Sequence, residues 1–207
     1  MKKFLSIIPL QVQLDSYCYK AVGNRRLAAN EETAFPIMTA IRGYTQPDEP
    51  IAVIAVVTDT EVGHQNAKRF REEVEAFCSA PEHHRPLFYF EVSVDTDEQV
   101  SSQTAVFQEL IKLVDDDDEL FACITYGTKP RAMALLMAVK YAYRVKKNAA
   151  ISCIVYGQID RPEKDPATWQ GYVYDMTALV QMDEIVRVLA EQGVADPEGA
   201  IGQILSL

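Results

Sequence analysis

One loop of the sequence gathers residue types that bind phosphate groups. It reads Thr125-Tyr126-Gly127-Thr128-Lys129-Pro130-Arg131. Gly127 lets the backbone approach a ligand, Thr128 caps a helix or offers a hydroxyl, and Pro130 favours the first turn of a helix. Free backbone N–H groups at that helix start, with Lys129 and Arg131 beside them, form a phosphate site. A plain helix start with two solvated cations explains the same residues, so both interpretations stay open at this point.

Other signatures of cofactor and metal binding are missing from the sequence. The loop lacks the G-x-x-x-x-G-K-[ST] order of a P-loop, and no G-x-G-x-x-G follows the first apolar run. These absences argue against a nucleoside triphosphatase and a dinucleotide dehydrogenase. The absence of any C-x-x-C pair favours buried, reduced thiols over a zinc site or a disulfide framework. The cysteines are Cys18, Cys78, Cys123 and Cys153. We therefore expect no metal and no cofactor.

Apolar runs alternate with amphipathic runs along the chain, which predicts strands separated by helices. The predicted strands are residues 4–10, 51–57, 87–94, 120–125, 150–156 and 171–176. The predicted helices are residues 31–42, kinked or starting late because of Pro36, 62–78, 99–114, 130–147 and 178–192. Continuous β-branched runs such as residues 51–57 are typical of parallel strands buried on both faces. The sequence therefore predicts a Rossmann-like α/β fold, a mostly parallel six-stranded sheet with helices on both faces.

Two further loops end at the same edge of this sheet. In open α/β sheets, ligands bind outside the carboxyl ends of the strands. Gln11 follows the first strand, Thr58 follows the second, and Asn66 lies in the helix after it. We expect these residues to line the same groove as loop 125–131, although turn or cap chemistry explains each of them singly.

The predicted helix 130–147 is apolar around most of its circumference. Such a pattern implies burial on more than one side. One side faces the sheet, and the other needs a partner. A second copy of the chain is the preferred partner, and a missing domain of the same chain would serve equally well.

The length and the net charge of the chain exclude several classes of function. The 207 residues carry 20 Lys+Arg and 30 Asp+Glu, a net charge of −10, which argues against binding to duplex DNA. We expect one domain over residues 1–207, in which 193–207 is a terminal stub or the start of a missing effector domain. No apolar run approaches a membrane span, and the first residues are too short for a secretory signal. We expect a cytoplasmic protein without membrane contact.

Three short motifs in this strand–helix order resemble the CARF family, the CRISPR-associated Rossmann-fold sensor domains. They are Ile124-Thr125-Tyr126-Gly127-Thr128-Lys129-Pro130, Ile154-Val155-Tyr156-Gly157 and Tyr174-Asp175-Met176-Thr177. They follow the fourth, fifth and sixth predicted strands, and the similarity in topology covers nearly the whole chain.

The resemblance implies a homodimer that binds cyclic oligoadenylate, as the tetra- or hexa-adenylate, across its two-fold axis. This nucleotide is the second messenger of type III CRISPR antiviral signalling. By resemblance, Thr125, Gly127, Thr128 and Lys129 would contact its phosphates and riboses. Adenines would need aromatic or apolar shelves, for which Tyr17, Tyr19 and Tyr126 are available, although a role as core or loop anchors explains Tyr17 and Tyr19 equally well. The predicted ligand-binding residues are Gln11, Thr58, Asn66, Thr125, Tyr126, Gly127, Thr128, Lys129, Arg131 and Gly157.

Family members often pass the signal to an effector, fused or separate, and no effector motif is present in this sequence. It has no HEPN-type Arg–His spacing, no E-x-K nuclease signature and no zinc-deaminase pattern. Plain sensing is the preferred function. A metal-independent ring nuclease is also compatible, with Lys129 and Thr128 at the reacting phosphate. The alternatives are a small-molecule α/β enzyme or nucleotide-binding protein that uses the loop for one phosphate, and a dimeric scaffold without ligand.

Overall fold

The computed structural model describes residues 1–27 and 30–205, without the side chains of His83 and Ala167. Its strands are β1 Lys2–Ile7, β2 Lys20–Val22, β3 Ile51–Thr58, β4 Leu87–Val94, β5 Glu119–Cys123, β6 Ala150–Asp160 and β7 Gln170–Asp175. Its helices are α1 Ile37–Tyr44, α2 Glu61–Ser79, α3 Val100–Lys112, α4 Lys129–Val145, α5 Thr177–Glu191 and α6 Pro197–Leu205. Pro36 precedes α1, so the first helix does start late.

The strands form one sheet in the order β2-β7-β6-β5-β1-β3-β4. The strands β4, β3, β1, β5 and β6 run parallel to one another. Strand β7 is antiparallel to β6, and β2 pairs parallel to β7. This Rossmann-like, mostly parallel sheet confirms the predicted fold class. The predicted count of six strands is wrong, because the described residues form seven.

The central strands are buried on both faces. All eight residues of β3 are buried, as their continuous apolar sequence predicts. On one face, Phe4 and Phe121 join a core cluster with residues of α1 and α2. The alternate residues, such as Leu5 and Ala122, are also buried, and α4 contacts β1, β5 and β6 while α3 contacts β4. Helices therefore cover both faces.

An aromatic stack joins the two strands that lead into the candidate site. The rings of Phe4 in β1 and Phe121 in β5 stack with centroids 4.5 Å apart, and Tyr44 of α1 packs against Phe121 at 5.0 Å. Phe4 and Phe121 are fully buried and directly paired in the sheet. The stack therefore stabilises the pairing of the two strands that lead into the candidate site.

The chain divides into two compact units. Met1–Asp175 holds the sheet and α1 to α4, and Met176–Leu207 holds α5 and α6. Much of the predicted stub 193–207 is the helix α6, whereas Ser206 and Leu207 lie outside the described residues. No helix in the described ranges is long and apolar enough to cross a membrane.

We predict that Phe121→Ala lowers the free energy of unfolding by about 3–5 kcal/mol, since it leaves a cavity between Phe4 and Tyr44. Urea titration followed by circular dichroism measures this loss. Phe88→Ala is the matched control, because Phe88 on the edge strand β4 is 49% exposed and should change stability far less. Equal losses in the two variants would contradict the central role of the stack.

Candidate ligand-binding site

A polar pocket of about 290 Å³ lies beyond the carboxyl ends of β1, β5 and β6. Four predicted site residues line it, namely Gln11, Thr125, Tyr126 and Gly157. Tyrosines on the segment before β2 and on β6 complete its aromatic lining, namely Tyr17, Tyr19 and Tyr156. The pocket therefore brings together residues from four separate segments at the edge where open α/β sheets bind ligands.

Two glycines allow the loops around this pocket to approach each other closely. Gly127 has a φ of +88°, and a Cβ atom there would lie 2.7 Å from Ile7 Cγ2. A Cβ atom on Gly157 would overlap the ring of Pro36, which lies directly before α1. The Gly157 N–H donates to Thr125 Oγ1 at 2.7 Å, so the ends of β5 and β6 are joined by a hydrogen bond.

Three tyrosines of the pocket, Tyr17, Tyr19 and Tyr126, are neutral hydrogen-bonding groups. Burial raises the pKa of both Tyr19 and Tyr126 well above the ordinary value, and it also raises the pKa of Tyr17. The Tyr126 hydroxyl donates to the Ala34 carbonyl at 2.8 Å, which fixes its ring. Uncharged rings offer stacking faces and do not repel an anionic ligand.

Arg131 and Thr58 hydrogen-bond to each other inside the fold. The Arg131 side chain is buried, and its Nη1 donates to Thr58 Oγ1 at 2.6 Å. Its Nη2 donates to the Asp95 carbonyl at 2.8 Å. The guanidinium therefore ties the start of α4 to the carboxyl ends of β3 and β4. We assign both residues a positioning role.

Asn66 holds the loop after β1. Its Nδ2 donates to the carbonyls of Pro9 at 2.9 Å and Gln11 at 3.0 Å. Asn66 is buried in α2, whereas the Gln11 side chain is exposed at the pocket. The amide of Asn66 therefore positions Gln11.

The remaining predicted residues, Gly127, Thr128 and Lys129, are exposed at the start of α4. Thr128 is the N-cap residue, but its side chain caps no backbone N–H and donates instead to Glu98 Oε2 at 2.7 Å. The Lys129 ammonium makes no hydrogen bond or ion pair with any described residue. The Glu98 carboxylate therefore already places a negative charge beside this helix start.

An apolar groove of about 430 Å³ runs between α3 and α4. Met133 and Met137 line it from α4 and are 62% and 54% exposed, and Phe107 lines it from α3. Glu98 also lines the groove, so the groove reaches the start of α4. Helix α3 of the same chain packs along part of the second apolar side of α4, where Phe107 contacts Tyr141, and the groove leaves another part of that side exposed.

Sequence reasoning missed part of the site. Strand β6 continues to Asp160, four residues beyond its predicted end, and this extension carries Gln158 and Arg161 to the pocket. The extension pairs with β7, and its residues alternate in burial rather than forming an apolar run. Period-two alternation after Gly157 was the available signal.

Comparison with known proteins adds no assignment to this geometry. No family model matches the chain, and no curated protein matches it. Within residues 1–27 and 30–205, no group of three His, Cys, Asp or Glu side chains is placed to hold a metal ion.

We predict that replacing the two cations of the first turn of α4 has very different effects on the free energy of unfolding. Arg131→Ala should lower the free energy of unfolding by about 2–4 kcal/mol, because Thr58 and the Asp95 carbonyl lose a buried charged donor. Lys129→Ala should change it by less than about 0.5 kcal/mol. Guanidinium unfolding curves of the two variants check this. A large loss for Lys129→Ala, or none for Arg131→Ala, would overturn the assigned roles.

Proposed function

We propose that this protein is a CARF-type sensor that binds cyclic tetra- or hexa-adenylate across the two-fold axis of a homodimer, in type III CRISPR antiviral signalling. One observation carries the proposal. Gln11, Thr125, Tyr126 and Gly157, which come from three separate loops and strands, line a single polar pocket together with Tyr17. The pocket lies at the sheet edge from which the motif residues of the resembling family bind their ligand.

The pocket offers aromatic faces on which an adenine can stack. Aromatic faces stack on bases, and the partly exposed rings of Tyr17, Tyr126 and Tyr156 offer such faces at the pocket. Tyr19 is 3% exposed and belongs to the core cluster, so it supports the pocket from behind. Its volume of about 290 Å³ lies at the lower end of the range of about 300–1,000 Å³ for small-molecule sites. That volume suits one nucleotide unit, so the two chains of a homodimer would hold two units of the ring in their pockets and the remaining units would lie between them.

The start of α4 supplies charge for the phosphates. The Lys129 ammonium has no partner among the described residues, and the neighbouring helix start presents backbone N–H groups. A local site of this kind binds a phosphate despite the net charge of −10. The Glu98 carboxylate already places a negative charge beside this helix start, so ligand binding and the position of Glu98 are linked.

The exposed apolar side of α4 supplies a surface for the second copy. Met133 and Met137, one turn apart on α4, are each more than half exposed in the single chain. Burying such side chains is favourable by about 25 cal/mol per Å². A two-fold axis at this surface would give a symmetric ring two identical sets of phosphate and base contacts.

Ring cleavage is an extension of the proposal rather than its core. The 2′-hydroxyl of a bound ribose would attack the adjacent phosphorus, form a 2′,3′-cyclic phosphate and expel the 5′-oxygen of the next nucleotide. Lys129 would stabilise the charge that develops on the phosphate, and Thr128 lies beside it. Plain sensing requires no such in-line geometry and remains the primary function.

A single-phosphate nucleotide site is the second candidate, and the size of the pocket within one chain favours it. It would use the same pocket for the base and Lys129 for one phosphate of a mononucleotide such as ATP, and it would need no second chain.

We predict that cyclic tetra- or hexa-adenylate raises the melting temperature of the wild-type protein by about 5 °C or more. Ligand at about 100 times its dissociation constant contributes roughly 2.7 kcal/mol to stability. Lys129→Ala should abolish the shift, because it removes the free ammonium at the helix start. A thermal-shift titration that includes linear oligoadenylate and ATP measures this, and chromatography of the incubated mixture reports any cleavage.

Lys112→Ala is the matched control, since Lys112 is an exposed cation at the C-terminal end of α3. It should retain the full shift. If no cyclic species changes the melting temperature, cyclic oligoadenylate sensing is excluded. A shift with ATP alone would establish the single-phosphate candidate.

A further inference from the structure

The β6–β7 connection brings a second cation to the candidate pocket. Arg161 directly follows β6 and lines the pocket together with Gln158. It lies outside the motifs at the start of α4, on a part of the chain that sequence reasoning did not include in the site.

The guanidinium of Arg161 is held in place but is not neutralised. Its Cζ lies over the ring of Trp169, 4.6 Å from the ring centroid. Trp169 is itself fixed, because its Nε1 donates to the Glu163 carbonyl at 2.9 Å. Among the described residues, Arg161 makes no hydrogen bond and no ion pair. A guanidinium stacked by its face keeps its N–H donors at the edge for a ligand.

Two side chains of opposite charge, Asp15 and Arg161, line this side of the pocket from separate segments of the chain. Asp15 also lines the pocket, where it accepts a hydrogen bond from Gln13 Nε2 at 3.3 Å. Asp15 and Arg161 act in opposite directions on the pKa of Tyr17, so both lie close to that phenol. A ligand on the Tyr17 ring is therefore within the fields of both the Asp15 carboxylate and the Arg161 cation, and its phosphate is favoured on the Arg161 side.

We propose that Arg161, stacked on Trp169, binds a phosphate of the nucleotide whose base occupies the tyrosine-lined pocket. This inference rests on the proposed function and deepens it, since it assigns each chain a phosphate contact separate from Lys129. A planar guanidinium forms two parallel hydrogen bonds to a phosphate, whereas an ammonium acts as a point charge. The pocket accordingly selects phosphorylated nucleotides over nucleosides.

The single tryptophan of the chain makes this contact directly observable. Because Trp169 packs against Arg161, a ligand that binds the guanidinium changes the environment of the only indole. Tryptophan fluorescence of the wild type, titrated with cyclic tetra-adenylate, AMP and adenosine, therefore reports on this part of the pocket. Isothermal titration calorimetry measures the affinities of the wild type and of every variant, because Arg161→Ala removes the group that links the ligand to Trp169.

Arg161→Ala should weaken binding of cyclic tetra-adenylate and AMP by about 10- to 100-fold, the range for a hydrogen bond to a charged group. Its affinity for adenosine should stay within about twofold of the wild-type value. Arg161→Lys should recover only part of the loss. Lys164→Ala is the matched control, because Lys164 is an exposed cation in the same connection that does not line the pocket, and it should bind as wild type does.

The outcomes separate this inference from the function it rests on. If the wild type binds cyclic tetra-adenylate and Arg161→Ala binds it equally well, the role of Arg161 is excluded while sensing stands. If the wild type binds only AMP, and Arg161→Ala lowers the affinity for AMP, the phosphate contact of Arg161 is supported and cyclic oligoadenylate sensing is excluded. If none of the three ligands changes the fluorescence or melting temperature of the wild type, both are overturned.

Discussion

The Arg131 guanidinium lies buried at the carboxyl edge of the sheet, where it donates to Thr58 Oγ1 and to the Asp95 carbonyl. These hydrogen bonds attach the first turn of α4 to the ends of β3 and β4. Since Lys129 begins the same turn, its backbone has a fixed place relative to the sheet. Asn66 provides a similar attachment for the loop after β1. The candidate site thus depends on buried polar groups that are out of reach of a ligand.

The loop between β5 and α4 connects two chemically different surfaces. Tyr126 hydrogen-bonds to Ala34 beside the tyrosine-lined pocket, whereas Thr128 hydrogen-bonds to Glu98, which borders the apolar groove. Gly127, with its positive φ and its close approach to Ile7, allows the chain to pass between them. A ligand that alternates bases with phosphates matches an aromatic pocket next to a helix start with a free ammonium, which is the physical basis of the proposed function.

The sequence predicted the parts of the fold that depend on long apolar patterns. Strands β3 and β4 lie within one residue of their predicted ends, because continuous or alternating burial leaves a clear pattern. Strand β2 has three residues and no buried one, so no such pattern marks it. The roles of Lys129 and Arg131 could not be separated by composition. Because the two residues are two positions apart on a helix, their side chains point about 200° apart. Arg131 therefore faces the fold, and Lys129 faces water.

Native mass spectrometry tests most directly whether the ligand binds across the two-fold axis of a homodimer. The protein is mixed with cyclic tetra-adenylate and, separately, with cyclic hexa-adenylate. Binding across a two-fold axis predicts a complex of two chains and one ring, which persists when ligand is present in excess. The mass of one chain with one nucleotide, or of two chains each with its own ring, would contradict a site shared between the copies. The measured stoichiometry thus decides between a shared and a single-chain site.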